Sequence, residues 1–430
     1  MGETGSPQAL GEHSRGQLRP DKININARKV VRRLNEGGFQ AYAVGGCVRD
    51  LLLGKSPKDY DVATDAHPEE VRDLFRNARI IGRRFRIVHV RFGRDVVEVA
   101  TFRAPHNEAE TEANYSDDGR ILDDNIYGTF DEDVHRRDFT MNALYYQPET
   151  DTLIDEVGGL ADIEAGRIRL IGDPESRFRE DPVRMLRAIR FRAKLGFDIE
   201  IKADESLRRL GYLLQDIPPA RLFEETLKLF MTGHGEASFH ELLHHELFGW
   251  LFPDARRVLE TTQAEELIRL ALASTDARIR DEKPVTPAFL YAALLWHPFI
   301  EEREAMIEDG MPPLSASHEA ASNVIGKQQL FTSIPKRFSG PMREIWNLQF
   351  RLPARHGKKA AGLFQHKRFR AAYDFLLIRE ESGESLDGLG AWWTEYQEKD
   401  EDARREMVNA LGSAGNGGKR RRRRPRRPRN

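Results

Sequence analysis

The chain has 430 residues, of which 40% are hydrophobic and 32% are charged, and its formal net charge is −2. A chain of this length folds as several domains, and this composition excludes the disordered and fibrous classes of protein. The single cysteine, Cys47, excludes a disulfide framework, and the sequence contains neither an apolar run that could span a membrane nor a secretory leader. We therefore expect a cytoplasmic protein with no stable membrane insertion.

Short strands and helices alternate in the N-terminal part of the chain. Residues 1–22 carry no periodic pattern and are expected to be a disordered lead-in. The spacing of apolar residues then predicts a mixed α/β domain, with helices at 24–36, 48–53 and 68–76 and strands at 41–44, 60–63, 87–92 and 96–102. The polar, acidic residues 105–125 that follow predict a mobile loop.

The C-terminal part is helical and ends in a basic tail. Amphipathic helices dominate from about residue 158 to residue 399, and one of them is predicted to begin with Asp181 as its N-cap and to end at Gly196. A glycine-rich linker at 412–418 precedes residues 419–429, nine of which are basic. Such a tail is expected to be disordered and to bind phosphate backbones, a localisation or solubility tail being the alternative. The RNA-binding candidates are Arg420, Arg421, Arg422, Arg423 and Arg424.

Two carboxylates, Asp59 and Asp61, lie on a predicted strand shortly after the paired glycines Gly45 and Gly46. Because the side-chain period of a strand is two, both acids point the same way, and their oxygens suit Mg²⁺. The glycine turn exposes backbone N–H groups that suit a polyphosphate. A metal beside a phosphate cradle indicates phosphoryl or nucleotidyl transfer, whereas an isolated pair of this spacing is usually a solvated surface feature.

Further charged residues extend this candidate site. Glu98 is flanked by valines on a predicted strand and is a candidate third metal carboxylate, the alternative being an edge-strand charge. Arg136 and Arg137 suit the charge of a triphosphate. The neighbouring Asp138 could hold a metal or accept a hydrogen bond from a ribose hydroxyl, unless it belongs to a surface ion pair.

Asp181 and Arg184 lie three residues apart and therefore share a helix face. Together they offer a carboxylate that accepts hydrogen bonds and a guanidinium group that donates them. Such a pair can recognise the edge of a nucleobase without a nucleic-acid template. The alternative is a capping aspartate with a salt-bridged arginine. A separate pattern, His240 and His244 with Glu241 between them, matches the zinc-peptidase motif, but the same segment also reads as an amphipathic helix and no third ligand is evident nearby.

Taken together, these segments resemble the nucleotidyltransferase superfamily of DNA polymerase β. The glycine turn with Arg49, Asp50 and the two acids resembles its signature. Residues 136–144 and 180–187 look like motifs of its class II branch, which contains the bacterial poly(A) polymerases and the tRNA CCA-adding enzymes. Residues 82–90, 217–225 and 369–374 and the arginine-rich end most resemble the poly(A) polymerases of that branch.

The resemblance implies an α+β fold. It comprises an N-terminal polymerase-β-like nucleotidyltransferase head with a mixed sheet, all-helical neck and body domains that bind nucleotide and RNA, and a disordered basic tail. The corresponding ranges are a lead-in at 1–22, the head at 23–147, the neck at 148–230, the body at 231–400, and the linker and tail at 401–430.

The resemblance also implies an activity, the template-independent polyadenylation of RNA 3′ ends with ATP in mRNA processing and decay. The catalytic acids would be Asp59, Asp61 and Asp138, with two Mg²⁺ ions on Asp59 and Asp61. The nucleotide-binding residues would be Gly45, Gly46, Arg49, Arg136, Arg137, Asp181 and Arg184. We expect a monomer, with RNA-decay proteins as a candidate class of partner. A CCA-adding enzyme, which would use CTP as well as ATP, is the nearer alternative, and a zinc peptidase is the farther one.

Overall fold

The computed structural model describes residues 12–15, 18, 20–82, 86–104, 126–260 and 263–414. The chain divides into two compact units, Met1–Leu210 and Gly211–Asn430. The loop predicted at 105–125, the RNA-binding candidates of the tail and most of the predicted lead-in lie outside the described residues.

A mixed eight-stranded sheet forms the centre of the first unit, in the order β1-β8-β7-β2-β3-β6-β5-β4. Its neighbours are antiparallel except for β3 and β6, which are parallel. This confirms the mixed sheet predicted for the head. The strands are β1 (Glu12–Arg15), β2 (Ala41–Val44), β3 (Tyr60–Thr64), β4 (Ala78–Ile81), β5 (Ile87–Phe92), β6 (Asp95–Thr101), β7 (Leu144–Gln147) and β8 (Thr152–Asp155).

Eight α-helices are described in the first unit, with a separate two-stranded pair of β9 (Arg167–Ile168) and β10 (Asp198–Ile199). Short 3-10 turns lie at Pro20–Lys22 and Thr140–Asn142. The helices are α1 (Ile25–Glu36), α2 (Gly46–Leu52), α3 (Pro68–Leu74), α4 (Phe130–Arg136), α5 (Gly159–Glu164), α6 (Pro174–Glu180), α7 (Val183–Leu195) and α8 (Ile201–Leu210).

The two faces of the sheet differ in polarity because residues alternate along each strand. Val62, Val99 and Val88 lie side by side on β3, β6 and β5 and are buried in one core with the apolar side of α1. The Asn24 side chain begins α1 by accepting hydrogen bonds from the N–H groups of Asn26 and Ala27 at 2.7 and 3.4 Å. The alternate residues of the same strands therefore face the opposite side of the sheet, where the acids lie.

Several boundaries differ from those predicted. β1 falls inside the predicted lead-in, because it pairs with β8, more than a hundred residues away, through backbone bonds that no local pattern reveals. The hairpin of β7 and β8 continues the sheet past residue 147, where the head was expected to end. Residues 401–414, expected to be part of the linker, form a helix. The acidic residues in its first turn stabilise it by interacting favourably with the helix dipole.

The described part of the second unit is helical, which confirms the predicted body. A 3-10 turn at Gly211–Asp216 precedes the α-helices. Tryptophans 296, 346 and 393 are fully buried among them. The helices are α9 (Pro219–Phe230), α10 (Gly235–His244), α11 (Phe248–Leu251), α12 (Pro253–Leu259), α13 (Ala264–Arg280), α14 (Pro287–Leu294), α15 (Trp296–Glu308), α16 (Pro313–Gln328), α17 (Lys336–Arg351), α18 (Lys359–Phe364), α19 (Phe369–Glu381), α20 (Leu389–Glu398) and α21 (Glu401–Ala414). Across the described residues, no helix combines the length and the apolar character needed to span a membrane.

Candidate active site on the polar face of the head sheet

The glycine turn connects β2 to α2 with an unusual backbone conformation. Gly45 has φ 79° and ψ −132°, a conformation that favours glycine. A side chain at this position would begin 3.6 Å from the Arg137 guanidinium and 3.7 Å from the carbonyl oxygen of Asn142. The turn therefore leaves a recess lined by backbone and by a cationic side chain.

The two acids stand next to this turn, at the beginning of β3. Asp61 lies opposite Val44, the last residue of β2, and opposite Glu98 on the parallel strand β6. Asp59 immediately precedes the strand, and both aspartates are exposed. The register places His89 of β5 beside Glu98, with 3.3 Å between His89 Nε2 and Glu98 Oε1. Asp61, Glu98 and His89 thus form one polar row across three strands.

The surroundings of Asp61 disfavour its charged form. Desolvation and repulsion from Glu98 and Asp59 raise the pKa of Asp61 to about 6, and the positive charge of Arg137 opposes the rise. The side chain is nevertheless exposed, so solvent screens part of this repulsion. The result is a concentration of negative charge that a cation would relieve.

The chemistry of this donor set fits Mg²⁺. Within the described residues, no three His, Cys, Asp or Glu side chains are grouped so that they could hold a metal ion. Mg²⁺, however, commonly takes only one or two protein carboxylates and completes its shell with water and substrate phosphates. Asp59 and Asp61 meet that requirement, whereas the Glu98 carboxylate contacts His89.

Asp133 anchors the two arginines next to the glycine turn. This buried carboxylate accepts hydrogen bonds from Arg136 Nε at 3.1 Å, Arg137 Nη2 at 3.0 Å and the Tyr145 hydroxyl at 2.7 Å. Burial would raise the pKa of Asp133, but the charges of Arg137 and Arg136 outweigh it and hold the pKa below its usual value. Asp133 was not among the predicted site residues, although its position three and four residues before the two arginines was a usable signal.

Asp138 is oriented by Arg187, which lies at the end of the 180–187 motif. Arg187 Nε donates to Asp138 Oδ2 at 2.5 Å, and the Phe139 backbone N–H donates to Asp138 Oδ1 at 2.8 Å. Burial would raise the pKa of Asp138, but the positive charge of Arg187 and these hydrogen bonds lower it. Asp138 is therefore an ionised acceptor with a fixed orientation.

Arg49 is buried, with 3% of its surface exposed. Its guanidinium donates to the carboxylate of Asp50 at 2.6 and 2.9 Å and to Asn142 Oδ1 at 2.5 Å, and it lies 5.0 Å from the centre of the Phe191 ring. These contacts connect α2 to the segment before β7. In this structure the Arg49 guanidinium is held by these protein partners and lies beside Gly46 of the turn.

The predicted base-reading pair lies at the junction of α6 and α7. Arg184 Nη1 donates to the Glu180 carboxylate at 2.8 Å, and Asp181 Oδ1 accepts from the Val183 N–H at 3.3 Å. The N-cap position of α7 is Pro182, one residue after the predicted cap. The predicted end of the helix is correct, since Gly196 adopts φ 74° there.

Arg177 of α6, which was not among the predicted site residues, connects two parts of the site. Its Nη2 donates to the carbonyl oxygens of Arg136 and Arg137, each at 2.7 Å. Its Nη1 donates to Glu180 at 2.6 Å, and Glu180 also accepts from Arg184. Arg177 therefore links the Arg136–Arg137 backbone to the helix junction that carries the base-reading pair.

The two histidines of the zinc-peptidase alternative lie on α10 and are both exposed. Among the residues that the structure describes, neither belongs to a group of three potential metal ligands. The geometry therefore gives this alternative no ligand set of the kind that catalytic zinc uses.

Comparison with solved structures first identifies the fold, which this chain shares with CCA-adding enzymes. The structure of the Thermotoga maritima CCA-adding enzyme complexed with tRNA matches with a TM-score of 0.56 and 18% sequence identity, covering 93% of this chain and 99% of that chain. At this level of identity the match shows a shared fold.

Sequence comparisons define the family. Models of the Poly A polymerase head domain, of the Probable RNA and SrmB-binding site of polymerase A, and of the Polymerase A arginine-rich C-terminus match residues 41–169, 196–259 and 309–428. Poly(A) polymerase I of Salmonella typhimurium is 47% identical over 398 residues, covering 90% of this chain and 86% of that protein. A CCA-adding enzyme of Lactobacillus helveticus is 39% identical over 228 residues, covering 53% of this chain and 55% of that protein. The chain therefore belongs to the poly(A) polymerase I family of nucleotidyltransferase enzymes, as its motifs indicated.

Proposed function

We propose that this enzyme adds AMP units from ATP to RNA 3′ ends without a template. The observation that carries the proposal is the pair of acids, Asp59 and Asp61, beside a glycine turn that faces the Arg137 guanidinium. This arrangement offers a place for a divalent cation next to a place for phosphates. The identity to a poly(A) polymerase I along 90% of the chain favours polyadenylation over CCA addition.

In this proposal Asp59 and Asp61 hold two Mg²⁺ ions. Bound Mg²⁺ would supply the charge that activates the RNA 3′-hydroxyl and stabilises the departing pyrophosphate. The remaining assignments concern the nucleotide. The backbone of Gly45 and Gly46 and the guanidinium of Arg137 face the triphosphate, and Arg49 supports them through Asn142.

The second part of the proposal concerns nucleotide orientation. Asp138, held ionised by Arg187, accepts a hydrogen bond from the ribose of the incoming nucleotide. Asp181 and Arg184 bind the edge of the adenine, and Arg136 adds positive charge near the triphosphate. The hydrogen bonds from Arg177 to the Arg136 and Arg137 carbonyl oxygens support a mechanical connection, within the first unit, between the triphosphate-binding arginines and the base-reading pair.

The wider biological assignments follow from the same proposal. We propose that the enzyme acts as a monomer in the cytoplasm, in mRNA processing and decay, where RNA-decay proteins would meet it. The relatives named above are bacterial enzymes, which supports this setting. The neck and body would bind RNA, and the arginines at 420–424 would add affinity that depends on salt.

A nucleotide-selection experiment tests the proposal directly. The purified chain is given Mg²⁺ and one NTP at a time, with either a generic single-stranded RNA or a tRNA that lacks its 3′ end. We expect long tails on the generic RNA with ATP alone. Addition that stops after three nucleotides, occurs only on the tRNA and requires CTP would contradict polyadenylation and identify a CCA-adding enzyme.

The raised pKa of Asp61 predicts a pH-dependent affinity for Mg²⁺. A proton and a metal ion compete for this carboxylate, and its pKa is about 6 in the absence of metal. The apparent affinity should therefore fall as pH drops below that value, by up to about tenfold per pH unit, and level off above it. Calorimetric titration with Mg²⁺ in the absence of ATP would measure this. The Asp61→Asn variant is the control, because it should lose this part of the pH dependence; an affinity independent of pH in the parent enzyme would contradict the assignment.

A further inference from the structure

A basic pocket lies within the second unit, and none of the residue roles proposed so far involves it. It has a volume of about 210 Å³ and is bordered by α13, by the loop before α14 and by α19. A neighbouring recess of about 370 Å³ shares Ser274, Arg278, Arg370 and Asp374 with it. The pocket contains Arg370, Ala371 and Asp374 of the segment at 369–374, one of the segments that suggested the poly(A) polymerases.

The charge of the pocket is predominantly positive. Four cationic side chains line it against a single carboxylate, that of Asp374; the cations are Arg278, Lys367, Arg368 and Arg370. Asp374 is shared by Arg370, whose Nη2 lies 2.8 Å from it, and by Arg278, whose Nη1 lies 3.9 Å away. Two guanidinium groups on one carboxylate leave a surplus of positive charge.

One of these cations is held in place by a backbone carbonyl group, and two others can exchange their carboxylate partners for a phosphate. Arg278 donates to the carbonyl oxygen of Pro284 at 3.2 and 3.1 Å, which fixes its guanidinium at the pocket edge. Arg370 and Lys367 are each 68% exposed, and their ion pairs are with Asp374 and Glu344. Because the cation of each pair is largely exposed, solvent weakens the pair, and a phosphate can replace the carboxylate at little cost.

The other walls suit the remaining parts of a nucleotide. Phe289 and Val285 supply an aromatic and an aliphatic surface, and the side chains of Ser274 and Thr286 supply hydroxyl groups. Cations for phosphates combined with an aromatic ring for a ribose or base are the elements by which proteins bind single-stranded nucleic acid. An acidic peptide would match the charge of the pocket but would leave its aromatic wall without a specific role.

We propose that this pocket binds a nucleotide of single-stranded RNA, with its phosphates on Arg278, Lys367 and Arg370 and its ribose or base against Phe289. The inference rests on the proposed function, because it takes RNA to be the substrate. It adds a defined RNA-binding site in the second unit, separate from the acids of the head.

The test compares two variants of equal net charge. The pocket variant is Lys367→Gln with Arg370→Gln. The control variant is Lys327→Gln with Arg405→Gln, which removes a lysine and an arginine that are 57% and 68% exposed and are likewise paired with carboxylates. Binding of a fluorescent single-stranded oligo(A) RNA is measured by anisotropy over a range of salt concentrations, with the full chain in each case.

We expect the pocket variant to bind RNA about tenfold more weakly, with a salt slope that is smaller by about 0.7 for each phosphate that it no longer neutralises. The control variant should change the affinity by less than about twofold. Equal losses of affinity in the two variants would mean that general surface charge binds the RNA, which would overturn the proposal.

A second variant, Phe289→Leu, tests the aromatic wall without changing the charge. We expect about fivefold weaker RNA binding with an unchanged salt slope, because leucine cannot stack on a base while the phosphates keep their cationic partners. Unchanged affinity would overturn the placement of ribose or base against Phe289, provided that thermal unfolding shows an intact fold. These measurements need no catalysis, so a parent chain that bound RNA without adding AMP would contradict the proposed function and leave the pocket to be judged by its own test.

Discussion

The Asp61→Asn variant is expected to add AMP to RNA about a thousandfold more slowly than the parent enzyme. Asp61 is one of the two carboxylates to which the proposal assigns Mg²⁺, and the amide that replaces it is a neutral and much weaker ligand. Losing stabilisation of a charged transition state by several kcal/mol lowers a rate by this order. Single-turnover addition of the first AMP measures the effect.

The fold should survive this substitution. Asp61 is exposed at the edge of the site, and its neighbours Glu98 and Asp59 are also negative. A carboxyl whose pKa is raised from 3.8 to about 6 in the folded state opposes folding once it ionises, and this effect grows as pH rises through that interval and persists above it. At neutral pH without Mg²⁺ the variant should therefore unfold at the same temperature as the parent or at a higher one.

Glu98→Gln is the matched control, since it removes a charge from the same row of the sheet. The Glu98 carboxylate contacts His89, so we expect the rate of AMP addition to fall by less than about fivefold. A decrease as large as that of Asp61→Asn would identify Glu98 as a third metal ligand. A normal rate in Asp61→Asn itself would remove the basis of the metal assignment.

How much of the site the sequence predicts depends on how far apart in the chain the interacting residues lie. The alternation along a strand and the two glycines are local features, so the sequence alone predicted Asp61 on a strand next to the turn; Asp59, predicted on the same strand, lies one residue before it. The register of β3 with β6 sets Asp61 beside Glu98. It is a backbone pairing between residues 37 positions apart, and no local sequence pattern reveals it. The same applies to β1, whose partner β8 is more distant still.

The interactions that orient the site were harder to foresee for a related reason. Arg187 meets Asp138 from a helix 49 residues away, and Arg177 meets carbonyl oxygens 40 and 41 residues away. The sequence shows that these arginines exist but not which acceptors they find after folding. Asp133 is the exception, because its two arginine partners lie only three and four residues further along the chain.

Substitution of Asp133 by asparagine should destabilise the first unit more than any of the substitutions above. Asp133 is 2% exposed and accepts hydrogen bonds from two arginines and a tyrosine. Asparagine has nearly the same volume but removes the charge, which leaves Arg136 and Arg137 partly buried without their counterion. Breaking a buried pair in this way costs about 3–5 kcal/mol. Urea unfolding followed by a probe in the first unit would measure this decrease in stability, since the two units need not unfold together.

The same helix provides a matched control in Asp131→Asn. Asp131 is 70% exposed and pairs with His135 at 3.3 Å, so its substitution should change the free energy of unfolding by no more than about 0.5 kcal/mol. Equal destabilisation by the two substitutions would show that the acidic first turn of α4, rather than the buried cluster, accounts for the effect.

Because Arg137 lines the glycine turn as well as contacting Asp133, we also expect Asp133→Asn to slow AMP addition under conditions where the fold is intact. If the variant were destabilised but added AMP at the parent rate, Asp133 would contribute to the stability of the fold and not to catalysis.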